Sequence, residues 1–163
     1  MIRDAEERDF AEIAEIYNHY IRNTLVTFEE CVIDTREVST RIGKVKSQGL
    51  WWLVAEEREQ VSGYAYATNW HQRSAYRNTV ELSVYLDPSC VGKGHGTTLY
   101  EELFSRLKAK GLHIAIGGIA LPNPSSIKLH EKFGMEKVAH FREVGYKSGQ
   151  WVDVGYWQVQ IDA

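Results

Sequence analysis

The chain has 163 residues, 44% of them hydrophobic, 25% charged and 12% aromatic, the balance of one globular domain, 1–163, able to hold a core without disulfides or structural zinc. Lysine and arginine number 19 against 22 aspartates and glutamates, a net charge of −3, which lacks the basic footprint of a nucleic-acid binder. The longest apolar runs, 50–55 and 114–121, fall far short of the ~20 residues of a membrane span, residues 1–8 do not read as an export signal, and Cys31 and Cys90 stand in no metal-ligand spacing, so the expected setting is cytoplasmic, with no metal and no membrane partner.

Residues 2–3 suit a short opening strand, and Phe10, Ile13, Ile16, Tyr17 and Tyr20 then recur at three- and four-residue steps, the period of an amphipathic helix. Residues 24–34 show no clean period, and 38–45 suit a second helix ending near Gly49. Two apolar runs, 50–56 and 61–68, flank the charged stretch 57–60 and predict an antiparallel hairpin. Tryptophan, histidine, arginine and tyrosine crowd into 69–78, a polar loop of the kind that binds ligands on a rigid scaffold. Strict alternation over 79–86 predicts a central strand with Thr79, Glu81, Ser83 and Tyr85 on one face. A glycine-rich loop at 91–96 leads into a helix marked by Leu99, Leu103 and Leu107 and closed by Gly111. The apolar stretch 112–119 then reads as a strand parallel to 79–86 through that helical crossover. Asn123 and Pro124 open a short helix running to Phe133, with Gly134 at its end. The tail, 135–147 and 151–161, folds as two strands around Ser148 and Gly149.

The loop supplies the first chemistry. Glycines at 92, 94 and 96 expose backbone N–H groups at a helix start, where the dipole favours a phosphate. A dinucleotide fingerprint needs glycine at 97, where Thr97 stands, and no P-loop pattern occurs in the chain. The order of elements around this loop resembles the GNAT superfamily of acyl-CoA-dependent N-acetyltransferases, and the resemblance spans nearly the whole chain. It implies an α/β fold with a mixed central sheet flanked by helices. It also implies acetyl-CoA as cosubstrate, with pyrophosphate on the backbone of Gly92, Lys93, Gly94, His95, Gly96 and Thr97. The pantetheine arm would pair with Val84, Tyr85 and Leu86 like an added strand and meet Asn123, itself a helix cap. Val91 departs from the Gln or Arg usual at the head of this loop, which removes a side chain and leaves the backbone donors in place. Lys93 and Lys128 are further candidates for the cofactor phosphates.

Within that superfamily, 17–21 (YNHYI), 62–67 (SGYAYA), 79–88 (TVELSVYLDP), 130–134 (HEKFG) and above all 145–158 (GYKSGQWVDVGYWQ) are similar to the phosphinothricin acetyltransferase group. That likeness implies acetylation of the α-amine of phosphinothricin, methionine sulfoximine or methionine sulfone. Glu81, the only acid on the central strand, then falls at the general-base position, and needs burial or a water relay because an ordinary glutamate is a weak base for an ammonium. His130 falls where many relatives carry a tyrosine acid, able to protonate a thiolate or only to hydrogen-bond. Arg73 offers a planar fork for a carboxylate, and Tyr76 and Phe28 fall at acceptor-pocket positions. The competing readings are a polyamine or peptide N-terminus as acceptor, or a non-catalytic acyl-CoA-binding module. A homodimer is expected through the tail, where Trp151, Tyr156 and Trp157 form a cluster that one small domain leaves partly uncovered.

Overall fold

The computed structural model describes residues 1–161. Seven strands form one sheet: β1 (Ile2–Asp4), β2 (Trp52–Glu57), β3 (Gln60–Asn69), β4 (Thr79–Leu86), β5 (Ile114–Leu121), β6 (Glu136–Lys147) and β7 (Gln150–Gln160). Their spatial order is β1-β2-β3-β4-β5-β7-β6. Every neighbouring pair is antiparallel except β4 and β5. Four helices cover it: α1 (Phe10–Asn23), α2 (Thr35–Ser47), α3 (His95–Lys110) and α4 (Pro124–Lys132).

The period of each segment decides which face it serves. In β4 the odd residues meet α1, with Tyr85 edge-on to Tyr17 at 5.1 Å and tilted against Tyr20 at 5.4 Å. The register pairs Tyr85 with Tyr64 and Ser83 with Tyr66, and both tyrosines of β3 stack with Trp52. The even residues meet α3, whose Leu99, Leu103 and Leu107 are all fully buried; burial of each contributes about 1.5–3 kcal/mol. Ala65 and Ala67 keep β3 flat on that side, so that α3 sits close to the sheet.

Several boundaries differ from the sequence expectation. The β2–β3 hairpin turns on Arg58 and Glu59 alone, both left-handed at φ 52° and 65°, because Glu57 and Gln60 still pair. The fifth strand begins at Ile114 rather than 112 and reaches Leu121; Leu112 is buried without joining the ladder, so its apolarity reports the core and not the strand. In the tail, Trp157 is only 2% exposed and packs with Ile119 and Met135. It therefore leaves the surface cluster expected of it, while Trp151 stays exposed. Two register shifts in the β6–β7 pair, near Lys137 and after Phe141, defeat a simple alternation count from the turn.

Candidate active site

The sheet opens where its two parallel strands part. β4 and β5 are in register only from Thr79–Ile114 to Glu81–Ile116, yet β4 runs on to Leu86 and β5 to Leu121. The Asp87 N–H bonds Ser62 O on the β3 side, whereas Asn78 O accepts from His113 and Ile114 on the β5 side. Alternation therefore turns the peptide groups of Val84 and Leu86 toward the gap. The Tyr20 hydroxyl donates to Leu86 O at 2.5 Å, which leaves Val84 and the Leu86 N–H facing a cleft of about 610 Å³. An extended ligand with amide groups fits such an edge as an extra strand.

One end of this cleft is the glycine loop. Gly92 and Gly94 hold φ of 80° and 88°, and a Cβ on either would meet nothing within 4 Å, so conformation rather than space demands glycine there. Gly96 is different, since a Cβ would come within 3.2 Å of Leu129; glycine there lets α3 and α4 approach. Gly94 is the N-cap of α3, so the first free N–H groups of the helix lie at the mouth, a site suited to phosphate. Asn123 caps α4, accepting from Ser126 N at 3.3 Å, and lines the same cleft with Thr97, Lys128 and Lys132. A shallower groove of about 760 Å³ lies between Ile127 and Trp157; its ionisable groups are lysines and Glu131, without a base aimed at a reactive centre.

His130 projects from α4 against Gly117 of β5, where no Cβ would fit, and it is 3% exposed. Its Nδ1 lies 2.7 Å from the Ser126 carbonyl and its Nε2 3.0 Å from the Tyr100 hydroxyl. A carbonyl can only accept, so Nδ1 carries the proton and Nε2 accepts from Tyr100. Burial lowers the His130 pKa, against the opposing pull of the Ser126 bond. Both ring nitrogens are thus engaged, and burial disfavours the charged form.

Glu81 stands on the opposite face of β4, half-buried, at the point where the strands part. Its carboxylate lies beside Gly118 of β5, whose added Cβ would sit 3.4 Å from Oε1 and 3.0 Å from the Tyr156 ring. Desolvation raises its pKa and the nearby His71 works in the opposite direction, which brings the carboxylate closer to the strength of a useful base. Around it Trp70 meets Tyr156 edge-on at 5.7 Å, His71 packs on Trp70 at 4.5 Å and on Tyr76 at 5.1 Å, and Phe141 closes on Tyr156 at 5.7 Å. This face is an aromatic recess with one carboxylate, adjoining a backbone-lined cleft.

The chain matches the Acetyltransferase (GNAT) domain over residues 2–155. It belongs to the GNAT family. It is 36% identical to the L-methionine sulfoximine/L-methionine sulfone acetyltransferase of Salmonella typhimurium, over 99% of this chain and 94% of that one. To the phosphinothricin N-acetyltransferase of Streptomyces coelicolor it is 35% identical, over 96% and 94%. Among solved structures, a Salmonella typhimurium acetyltransferase holding its cofactor acetyl-CoA superposes with a TM-score of 0.95 at 36% identity, covering 99% of this chain and 94% of that chain. A Sinorhizobium meliloti phosphinothricin acetyltransferase in complex with acetyl-CoA gives 0.94 at 38%, covering 98% and 87%.

Within this GNAT domain the expected residues fall into three groups. Val84, Tyr85, Leu86, Gly92, Gly94, Gly96, Thr97, Asn123 and His130 all line the cleft. Lys93 and His95 do not; the His95 ring turns away to Glu57 at 3.4 Å, so these two offer backbone only. Glu81, Phe28, Arg73 and Tyr76 lie outside the cleft proper: Tyr76 joins the aromatic recess, Phe28 rests on Gly145 of β6, and the exposed Arg73 side chain has no hydrogen bond or ion pair among the described residues. Sequence reasoning passed over Tyr20, Tyr100 and His71 as site residues. Of these only His71 left a signal, the crowding of aromatic and basic types in 69–78.

Proposed function

We propose that the protein acetylates the α-amine of a small amino-acid-like acceptor, of the phosphinothricin, methionine sulfoximine or methionine sulfone type, by direct transfer from acetyl-CoA. The single observation that carries this reading is the parting of β4 and β5 at Glu81, which leaves an open strand edge and a helix-capping glycine loop around one cleft, with a desolvated carboxylate beside Gly118 at its margin. In this reading the pantetheine arm of acetyl-CoA lies along Val84, Tyr85 and Leu86, with the pyrophosphate at Gly92 to Thr97. Glu81 takes a proton from the acceptor ammonium, directly or through a water. The freed nitrogen attacks the thioester carbon, the new C–N bond forms, and collapse of the tetrahedral intermediate breaks the C–S bond. The nitrogen's second proton goes to the departing thiolate, and Glu81 returns its own to solvent. His130, with neither nitrogen free to donate, serves to hold Tyr100 and α4 in place rather than as the acid.

The acceptor lies on the aromatic side, where Arg73 swings onto its carboxylate. Cys31 and Cys90 are both free thiols, which suits a reducing cytoplasm. The protein pairs as a homodimer through β6 and β7: β6 is an edge strand, and Val138, Phe141, Val144, Tyr146 and Trp151 are all at least half exposed on this hairpin. Light scattering should then report about twice the chain mass of 18.7 kDa, and a monomer at tens of micromolar would remove the dimer. The function is tested by thiol release from acetyl-CoA with phosphinothricin, methionine sulfoximine, methionine sulfone, polyamines and a peptide. Turnover confined to the first three supports the reading. Turnover with polyamine or peptide replaces the acceptor, and cofactor binding without turnover makes the protein a binding module.

A further inference from the structure

Lys147, near the end of β6, is 3% exposed and forms no ion pair among the described residues. Its ammonium instead donates to two backbone carbonyls far away in sequence, Thr24 O at 2.9 Å and Thr27 O at 2.8 Å. Burying a cation costs far more than burying an apolar chain, so its position calls for a reason beyond filling space. Desolvation lowers its pKa, while Glu30 and Glu29 pull the other way; these are the charged groups that face it.

The two carbonyls belong to the first residues of segment 24–34, which joins α1 to α2 without regular structure. Residues 26–29 of that segment each have a defined neighbour. Val26 lines the cleft. The Thr27 hydroxyl lies 2.7 Å from Tyr17 OH, and the Tyr17 ring stands edge-on to Tyr85, which shares the Glu81 face of β4. Phe28 lies so close on Gly145 that a Cβ there would strike its ring. Glu29 continues the chain of contacts, held by both ends of the Arg41 guanidinium at 2.6 and 2.8 Å and by the Tyr17 hydroxyl.

We infer that Lys147 is a positioning residue for acceptor recognition, its ammonium fastening the carbonyls of Thr24 and Thr27 so that Val26, Thr27 and Phe28 form a fixed wall beside the Glu81 face of β4. The inference rests on the acetyltransferase reading above and extends it to a residue that touches neither substrate. It differs from a general stabilising role in what it predicts. Thr27 and Phe28 belong to the acceptor side, and only Val26 of the loop reaches the cofactor cleft, whose strand edge and glycine loop are built from other residues.

Lys147→Met keeps the chain length and removes the donors. It should raise the acceptor KM by roughly tenfold or more, since small displacements of positioning groups are costly, and leave the acetyl-CoA KM within about twofold. Gly145→Ala pushes Phe28 from the other side and should give the same acceptor-selective pattern. The double variant should lose less than the product of the two single losses, because both act through one loop. An unchanged acceptor KM in Lys147→Met, or an equal rise for both substrates, overturns the inference. If Lys147→Met does not fold, Gly145→Ala decides: a rise confined to the acceptor supports the wall, and any other result overturns it. A parent enzyme that turns over amino acids while the variants keep its acceptor KM removes only this inference. A parent that releases no thiol with any amine removes the function and the inference together.

Discussion

The two sides of the cleft are built in different ways. The cofactor side is mostly continuous in sequence, running from β4 through the glycine loop into α3, with α4, the end of β5 and the two residues Tyr20 and Val26 added. Its recognition elements are peptide groups, and their positions follow from strand alternation and helix geometry. In the proposed reading the acceptor side is assembled from 24–28, 70–76, Glu81 on β4, Phe141 to Lys147 on β6 and Tyr156 on β7. Its elements are side chains held by other side chains. A backbone-built site tolerates substitution of most residues that form it, whereas a side-chain-built site changes its ligand with each one. One fold can thus keep a single cofactor while its acceptor varies.

The largest effect expected from breaking this arrangement is at the point both sides share. Glu81→Gln should lower kcat by about 10² or more, as for loss of a general base, with both KM values little changed. In the parent, activity should fall as pH drops through the Glu81 pKa, which burial holds above the usual glutamate value; protonation there removes the base. Rate profiles from acid to neutral pH should show that limb in the parent and not in the variant. Next in size is a change confined to the cofactor side. Gly94→Ala forces a Cβ into a left-handed backbone at φ 88°, a strain of about 1–3 kcal/mol. Because nothing crowds the new methyl, the loop should shift rather than the core unfold. The acetyl-CoA KM should rise roughly tenfold, at about 1.4 kcal/mol per decade, with the acceptor KM unchanged. An equal change in both would show that the two sides are mechanically one.

The same contrast explains what the sequence made legible. β4 was read to the residue because five or more alternating positions leave one register, and the three later glycine-loop and helix boundaries follow from Gly94, Gly111 and Asn123. The start of β5 lies two residues beyond the expected one because the buried Leu112 adjoins the apolar run 114–121, so hydrophobicity marks burial without marking where pairing begins. Trp157 was placed at the surface because its face depends on two register shifts that no residue type announces. The hold of Lys147 on Thr24 and Thr27 spans more than a hundred residues, and a lysine on an apparent edge strand reads as a solvated charge. His130 shows the limit in another way. Its place beside the cofactor cleft was expected from resemblance, but its tautomer, fixed by Ser126 O and Tyr100, comes only from three dimensions.

The smallest expected effect lies at the rim of the acceptor side and separates contact from scaffolding. Arg73 is exposed, sits at the start of a short 3₁₀ turn, Ser74–Tyr76, and binds no carboxylate among the described residues. A guanidinium with no partner among the described residues leaves stability unchanged when removed, so Arg73→Ala should melt with the parent. If it reaches over the recess to the acceptor carboxylate, the acceptor KM should rise roughly tenfold, the scale of one charge-assisted contact partly screened by water. The acetyl-CoA KM should stay put. Decarboxylated analogues provide the control: they should be poor substrates of the parent and lose nothing further in the variant, because the group Arg73 would hold is already gone. Equal losses for acids and decarboxylated amines would mean that Arg73 acts by holding the 70–76 loop and its Trp70, His71 and Tyr76 rings in place, and the carboxylate partner would then have to be sought elsewhere on the acceptor side. Salt should weaken the effect for the acids only, since an exposed pair is screened over about 8–10 Å at 0.1–0.15 M ionic strength.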